Sequence, residues 1–377
     1  MFLQVIAFLG MLSFLVIIHE LGHYLTARFW KVRVEEFGLG YPPRAKALFK
    51  RGMTVFSLNW VPFGGFVKME GEETPEEGQA VSNKQLSGKE EGAFYQKSKR
   101  VRLAIISAGA LVNFIFGVIA FSTFFSLTGI PEVSPRIKEL LPGGPAEAIQ
   151  LPTNVNILKI GVDGKEFEIH SVQEAVEIIS TRPGQKITIV TTGPCQEEKC
   201  EGNIQSSTLT IKPKEADPAK GEVGIRFDTV VTQRFFPWYQ MPFRGAWYGT
   251  QQAFFLSRLI LEGLGDMFQT LLRGSLPKEV GSPVKIFVEG RKAGIFDQGP
   301  LIFLNFAGII SINLAIFNIL PIPALDGGRA ALILAEGIFG KKHINKWENY
   351  INYGGLIFLL SLMVVVFAKD ILEVIRG

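Results

Sequence analysis

The sequence predicts a multi-span α-helical membrane protein with one compact α+β domain inserted between its spans. The chain has 377 residues and is 47% hydrophobic but only 20% charged, whereas soluble proteins carry about 25% charged residues. Residues 1–18, 103–129, 301–325 and 349–368 contain no Asp, Glu, Lys or Arg. Because a helix of roughly 20 apolar residues crosses a bilayer, these stretches exclude an ordinary soluble enzyme, a disordered protein and a disulfide-stapled secreted module.

The four apolar stretches predict about four transmembrane helices. The first lacks a basic n-region and a small-residue cleavage site, so we expect a retained helix rather than a signal peptide. Basic residues follow the first stretch, precede the second and separate the third from the fourth, and the positive-inside rule places all of them in the cytoplasm. Both termini and residues 130–300 are then outside. The basic residues are Arg28, Lys31, Arg33, Arg44, Lys46, Lys50, Arg51, Lys97, Lys99, Arg100, Arg102, Arg329, Lys341, Lys342 and Lys346.

Charge and segment order also predict partners and domains. A net charge of +4 is too small to indicate nucleic acid as a partner. The apolar stretches make membrane lipids the expected surroundings. We expect the domain boundaries 1–129, 130–230, 231–300 and 301–377.

Residues 130–230 are typical of a small α+β domain. Ser171 with Glu174 three residues later predicts a capped helix, and Asp163-Gly164 predicts a hairpin turn. The predicted strands cover 136–141, 157–160, 186–190, 207–211 and 221–227, and the predicted helices 146–150 and 171–180.

This order resembles a bacterial PDZ domain, in which Gly-Pro-Ala before a helix and a final Val-Gly-Ile strand recur. The resemblance implies that a peptide adds as a strand beside Val223, Gly224 and Ile225. A plain sheet domain without a ligand is the alternative. Cys195 and Cys200 close a short loop that a disulfide can join in an oxidising compartment, and two free thiols are the alternative there.

Residues 242–272 predict an amphipathic helix rather than a span. Arg258, Glu262 and Asp266 are four residues apart and share one helical face. We expect this helix to lie along the membrane surface or to pack on other helices.

The segment Ile18-His-Glu-Leu-Gly-His23 carries the strongest chemical signal. In a helix, His19 and His23 are one turn apart, so both imidazoles can hold one metal ion. Glu20 beside them can take a proton from a water molecule at that ion. Such polar groups are costly in an apolar helix unless they function, which favours a metal site over a chance match.

A catalytic zinc ion takes three protein ligands and keeps one position open. The two other histidines, His170 and His343, lie in the predicted exported domain and in a basic cytoplasmic loop. Asp326 is the better candidate, because the segment 318–328 ends the third apolar stretch on the predicted cytoplasmic side. Its two prolines are expected to break the helix, and its glycines to allow close backbone approach. A solvated aspartate at a helix end is the alternative.

Together, His-Glu-Leu-Gly-His and the later Asn-x-x-Pro-x-Pro-x-Leu-Asp-Gly-Gly resemble the site-2 protease family of intramembrane zinc metalloproteases. Within that family, the chain most resembles the bacterial regulator-of-sigma-E proteases. Residues 56–71 resemble that family's membrane-dipping β-hairpin, 108–113 the opening of its second span, and 280–284 an element before its third span. Many members carry two PDZ domains in tandem, and this chain has room for one.

The resemblance implies roles for individual residues. Glu20 is the general base. Asn313 and Asn318 contact the substrate helix, with helix–helix hydrogen bonding as an equal alternative. The implied ligands of one Zn²⁺ ion are His19, His23 and Asp326.

The implied hairpin, at about 50–71, offers a sheet edge at membrane depth. A transmembrane substrate has every backbone group paired internally, so it must unwind before cleavage, and the freed strand can pair with such an edge. We expect this edge in the run 55–61 and at the glycine step. The expected substrate contacts are Phe56, Ser57, Leu58, Gly64 and Gly65.

The resemblance implies a zinc endopeptidase of the bacterial inner membrane that cleaves single-span membrane proteins near their cytoplasmic end. The exported domain would screen for substrates already shortened by another protease, and anti-sigma factors and remnant signal peptides both fit. A transporter with a metal or proton relay and an inactive PDZ scaffold are the alternatives. Glu20 between two histidines at four-residue spacing argues against both.

Overall fold

The computed structural model describes residues 1–72, 92–169, 171–193, 195–196, 199–200, 204–211, 223–273, 283–340, 344, 347, 350–361 and 364. The chain divides into two compact units, Met1–Phe125 with Gly245–Gly377, and Ser126–Arg244. Each is described by itself below.

The first unit is helical apart from one sheet. Its elements are α1 (Phe2–Phe29), β1 (Val34–Arg51), β2 (Thr54–Met69), a 3₁₀ turn (Phe94–Gln96) and α2 (Lys99–Thr128). In chain order the second unit then supplies α3 (Pro145–Ala148) and α4 (Val172–Ser180). The first unit continues with α5 (Met241–Leu272, whose first residues belong to the second unit), α6 (Pro283–Lys292), α7 (Pro300–Ile319) and α8 (Asp326–Phe339).

Three helices in the described part of the chain are long and apolar enough to cross a membrane: α1, α2 and α7. They correspond to the first three predicted spans. The described part of the fourth predicted span is a shorter apolar helix, Tyr350–Ser361, and the rest of 349–368 includes residues outside the described ranges. Four spans, and the side of the membrane that each loop faces, therefore stay predictions.

The sheet between α1 and α2 has more rows than the predicted hairpin. The register pairs Phe37 with both Val67 and Phe56, and it pairs Phe56 with both Phe37 and Phe49. Each long strand therefore bends and contributes two rows. Their order is 65–69, 34–39, 54–59 and 44–51, so the outer rows are 65–69 and 44–51.

Apolar packing fixes the first unit around α1. Its N-terminal half packs on α7, with Phe8 and Leu15 against Phe306 and Ile310. Its C-terminal half packs on the sheet and on α2. The buried side chains of that second cluster are Tyr24, Ala27, Val32, Val34, Phe37, Val67, Met69, Phe94, Ile105, Ile106 and Ile333.

Two ion pairs hold α8 in place, one near its start and one further along the helix. Arg102 of α2 pairs with Glu336 of α8, and their side chains are only 8% and 3% exposed. Arg329 of α8 pairs with Glu72, just after β2. Because ions are buried only with partners, these pairs define how α8 lies against α2 and the sheet.

Helix α5 is continuous over the amphipathic segment, and it is not among the three membrane-length apolar helices of the described chain. Arg258 pairs with Glu262 at 2.6 Å, as their spacing predicts. Gly249 packs on α2, where an added Cβ would lie 2.4 Å from the Ser122 nitrogen. The prediction that this helix packs on other helices is confirmed.

The second unit is a mixed α+β domain. Its sheet follows the order β10-β3-β4-β6-β9, with β5 paired to β4, and Ser171 caps α4 by accepting the Glu174 N–H as predicted. The strands are β3 (Ile130–Leu140), β4 (Val155–Val162), β5 (Lys165–Glu168), β6 (Lys186–Thr191), β7 (Cys195–Gln196), β8 (Lys199–Cys200), β9 (Gln205–Thr210) and β10 (Ile225–Arg234).

In the predicted strand 221–227, residues 223 and 224 are not in a strand, and residues 221 and 222 lie outside the described part of the chain. Gly224 has a φ of +74°, and the carbonyls of Val223 and Gly224 accept the N–H groups of Ala146 and Leu141. The strand begins at Ile225 because the preceding backbone turns to hold the α3 segment. Of the three predicted groove residues, Ile225 alone belongs to the edge strand β10. In the loop, the register pairs Cys195 with Cys200, and the disulfide stays a prediction.

Candidate metal centre

Two helices from opposite ends of the chain bring the candidate ligands together. His19 and His23 lie on α1, and Asp326 is the first residue of α8. Helix α7 ends at Ile319 and the chain turns through 320–325, as the two prolines predict. Gly327 lets this turn close, since an added Cβ would lie 2.1 Å from the Leu320 carbonyl oxygen.

The three ligand atoms converge on one point. Oδ2 of Asp326 lies 2.9 Å from Nε2 of His19 and 3.2 Å from Nε2 of His23. The two Nε2 atoms are 3.2 Å apart. Tetrahedral zinc, with ligand bonds of about 2.0–2.2 Å, separates its ligand atoms by roughly 3.3 Å. This donor set of two imidazoles and one carboxylate therefore fits a catalytic zinc ion.

Helix α2 contacts both histidines through Ile105 and Asn113, which lie eight residues apart on one face of the helix. Nδ1 of His23 lies 2.9 Å from the Ile105 carbonyl oxygen, so it donates there and leaves Nε2 for a metal. Nδ1 of His19 lies 3.4 Å from the Asn113 side chain. Between these contacts stands Gly109, where an added Cβ would lie 2.5 and 2.6 Å from the two Nε2 atoms. A glycine here leaves the space in which an ion fits.

Glu20 lies against the sheet. An added Cβ at Gly65 of β2 would lie 3.6 Å from Glu20 Cγ, so the Glu20 side chain lies beside the row 65–69. Gly22, in the same motif, brings α1 against α2, with an added Cβ 2.6 Å from the Ala108 carbonyl oxygen. The motif thus places Glu20 on the sheet side of α1 while Gly22 faces α2.

Burial and neighbouring groups shift the pKa values of Asp326 and Tyr41. Burial raises the pKa of Asp326, but its hydrogen bonds with His19 and His23 outweigh burial and hold that pKa below its usual range. The carboxylate is therefore available as a ligand at neutral pH. Burial and the nearby Glu20 raise the pKa of the Tyr41 phenol, which keeps that hydroxyl protonated.

The residues predicted to form the substrate edge lie in an inner row of the sheet, and the outer row next to Glu20 is the other end of the same strand, β2. Phe56, Ser57 and Leu58 are in the row 54–59, which is paired on both sides, so their backbone is not at an edge and that expectation is wrong. The outer row 65–69 is the one beside Glu20. Its Gly65 would place a Cβ 3.6 Å from Glu20 Cγ, and its Met69 N–H donates to the Glu72 carboxylate at 3.1 Å.

The other residues predicted for the site lie elsewhere in the first unit or outside the described residues. Gly64 packs on the Tyr41 ring, with an added Cβ 2.7 Å from Cε2. Asn313 and Asn318 are half-buried on α7, and their five-residue spacing puts them on different faces. Their roles stay predictions. His170, His343 and 280–282 lie outside the described residues.

Sequence reasoning missed the groups that support the ligands. The Ile105 carbonyl is a backbone group, and no side-chain pattern reports it. Gly109 did leave a signal, because small residues such as Ala108-Gly-Ala in a span indicate close helix packing. That signal predicts a close neighbour but does not say that the neighbour is a pair of histidines.

Comparison with known proteins decides the family. The sequence profile described as "Peptidase family M50" matches residues 7–362. This chain belongs to peptidase family M50. It is therefore a membrane peptidase, and zinc is its cofactor.

Relatives within the M50 family match along nearly the whole chain. A Rickettsia conorii protein named "Putative zinc metalloprotease RC0203" is 30% identical over 376 residues, which cover 98% of each chain. "Putative zinc metalloprotease CPE1693" of Clostridium perfringens is 29% identical over 360 residues, 96% of each chain. "Zinc metalloprotease RasP" of Geobacillus kaustophilus is 26% identical over 440 residues, 98% of this chain and 97% of that protein.

Proposed function

We propose that this M50 peptidase is an intramembrane endopeptidase that cleaves single-span membrane proteins. The observation that carries the proposal is the position of the ligand cluster. His19 and His23, each 7% exposed, lie within a helix long and apolar enough to span a bilayer. A peptidase centre inside such a helix meets substrates that are themselves in the membrane.

The substrate must be unwound before it reacts. A helix in lipid pairs all its backbone groups internally, which leaves no carbonyl open to attack. The outer row 65–69 faces Glu20 and can pair with one extended substrate segment. We therefore assign strand addition to this row, with Gly64 and Gly65 at its start, instead of to Phe56–Leu58. Asn313 and Asn318 on α7 are proposed to hold the adjoining substrate helix.

The chain's own residues divide the chemistry. His19, His23 and Asp326 hold zinc, which when bound supplies a Lewis acid for the scissile carbonyl. Glu20 accepts the proton of the attacking water and then delivers it to the leaving amine. Gly65, which packs beside the Glu20 side chain, places that carboxylate next to the proposed path of the extended substrate. Burial of the histidines limits the water that reaches the site.

The second unit is proposed to act as a PDZ-like filter for substrates trimmed by an earlier cut. Its edge strand β10 and the neighbouring helix α4 offer the two sides of a peptide groove, with Ile225 at the start of the strand. We propose that this unit lies outside a bacterial inner membrane and that the metal centre lies toward the cytoplasm. Anti-sigma factors and remnant signal peptides are the substrate classes that fit.

Metal content and turnover together test the proposal. Glu20→Gln keeps the three ligands but cannot accept a proton, so zinc should stay bound while cleavage of a single-span substrate falls by at least about 100-fold. Asp326→Ala removes one ligand, so both zinc and cleavage should be lost. Full activity in Glu20→Gln would refute the catalytic assignment. Zinc binding with transport but without cleavage would favour the transporter alternative, and neither zinc nor cleavage in the unaltered protein would favour the scaffold.

A further inference from the structure

Asn113 is a fully buried polar side chain that the proposed chemistry does not use. It lies on α2 with no exposed surface, and its Oδ1 has no hydrogen-bond partner among the described residues. Its Nδ2 lies 3.4 Å from Nδ1 of His19. Burying an unpaired amide oxygen is costly, so a function for this side chain is expected on energetic grounds.

The neighbours of Asn113 limit what it can contact. Its backbone carbonyl accepts the Ser311 hydroxyl of α7 at 2.8 Å, which fixes the helix but leaves the amide unaffected. The amide projects toward His19, one turn beyond Gly109 on the same face of α2. The described contact of the Asn113 side chain is therefore with the imidazole nitrogen that faces away from the ligand cluster.

The chemistry of the imidazole determines which amide atom it needs. When Nε2 of His19 binds a metal, the proton of the neutral ring is on Nδ1, and its partner must be an acceptor. When Nε2 carries the proton instead, Nδ1 becomes an acceptor and needs a donor. An asparagine amide can supply either atom by turning over, and Oδ1 is the atom that the metal-binding tautomer requires.

We propose that Asn113 is a positioning residue that selects the metal-binding tautomer of His19, with its Oδ1 accepting the Nδ1–H. The counterpart for His23 is the Ile105 carbonyl, which can only accept and so permits only the metal-binding tautomer. The two ligands are thus supported unequally: His23 by a fixed acceptor, and His19 by an amide that can turn. This inference rests on the proposed ligand role of His19.

The test compares three variants of the full chain in detergent. Asn113→Ala removes the acceptor, and loss of such a partner typically lowers metal affinity 10–100-fold. Asn113→Asp keeps the shape and supplies an acceptor in either orientation. Its zinc affinity should therefore stay within about threefold of that of the unaltered protein, well short of the loss expected when the acceptor is removed. Ser311→Ala is the matched control, because it removes a buried hydroxyl that binds Asn113 without contacting His19.

Zinc affinity is measured by competition with a chromogenic chelator, and the visible absorption of the cobalt-substituted protein reports ligand geometry. Thermal unfolding of each protein after zinc removal checks that the fold is intact. Weak zinc binding in Asn113→Ala with near-normal binding in Asn113→Asp and Ser311→Ala supports the inference.

Equal affinity in Asn113→Ala and the unaltered protein would overturn the inference alone. So would an Asn113→Asp protein as weak as Asn113→Ala, since packing rather than an acceptor would then matter. Unchanged zinc affinity in His19→Ala would instead overturn the proposed ligand set, which separates the two failures.

Discussion

Gly109 offers the sharpest test of the metal centre, because it is the point of closest approach between α2 and both histidines. Gly109→Ala adds a Cβ at 2.5 Å from Nε2 of His23 and 2.6 Å from Nε2 of His19. Side-chain carbons essentially never approach closer than 3.0 Å, so the groups must separate by at least 3.0 − 2.5 = 0.5 Å.

This displacement is large for a metal site. Ligand distances in working zinc sites stay within about 0.2 Å of their ideal values, so simultaneous shifts of 0.5 Å for His23 and 0.4 Å for His19 exceed the tolerance. We expect Gly109→Ala to lower zinc affinity by at least roughly 100-fold, the upper end of what loss of an outer partner causes. Cleavage of a single-span substrate should fall with it.

Two glycines in the same spans provide matched controls. An added Cβ at Gly10 on α1 meets nothing within 4 Å, so Gly10→Ala should keep zinc and gain stability from helix propensity. At Gly117 on α2 an added Cβ would meet the flexible Ile312 side chain at 2.5 Å, so Gly117→Ala tests a steric clash far from the ligands. It should alter unfolding temperature but not zinc content.

Zinc content by mass spectrometry and chelator competition on the three purified proteins measure the effect. Normal zinc affinity in Gly109→Ala would show that the ligand atoms do not converge beside α2, and the reasoning from this geometry would be refuted. Loss of zinc in Gly117→Ala as well would mean that general helix packing, rather than space at the ligands, controls the site.

Three other outcomes are expected. Glu336→Ala leaves Arg102 buried without its partner and should destabilise the protein by about 3–5 kcal/mol. An Arg102→Met, Glu336→Leu double variant should unfold at nearly the same temperature as the unaltered protein, and additive losses in the double variant would contradict this. A photocrosslinker at Lys68 in the outer row 65–69 should capture a bound substrate. One at Leu48 should not, because the opposite outer row is roughly 14 Å away across three strand spacings. Capture from Leu48 alone would place the substrate on the other edge. With the native cysteines replaced by serine, Lys165→Cys should react with an impermeant thiol reagent from outside the cell, and labelling from the cytoplasmic side alone would reverse the topology.

The candidate ligand cluster was predictable because part of its geometry is local. The four-residue spacing of His19 and His23 is a property of any helix, and it survives whatever the rest of the chain does. Asp326 was predictable for a different reason. An acidic residue after two prolines at the end of an apolar stretch needs a partner. The sequence could not say how close the atoms come, because that depends on α2 packing at Gly22 and Gly109.

The sheet shows where sequence reasoning stops. The run 55–61 has the composition of a strand, and nothing in it distinguishes an edge from an interior row. The difference arises because β1 bends and pairs twice with β2, which encloses Phe56 between Phe37 and Phe49. The predicted start of β10 is wrong for a similar reason, since the carbonyl of Val223 accepts the N–H of Ala146 in α3 and that of Gly224 accepts the N–H of Leu141, just after β3.

The separation of the ligands along the chain has a consequence for biosynthesis. His19 and Asp326 are 307 residues apart, and at ribosomal rates of roughly 5–20 residues per second the second is made about 15–60 s after the first. During that interval α1 is already made without its carboxylate ligand, so the ligand set is incomplete. On the proposed ligand set and activity, a nascent or truncated chain cannot cleave neighbouring membrane proteins, because the ligand set is complete only after α8 has been synthesised and has docked.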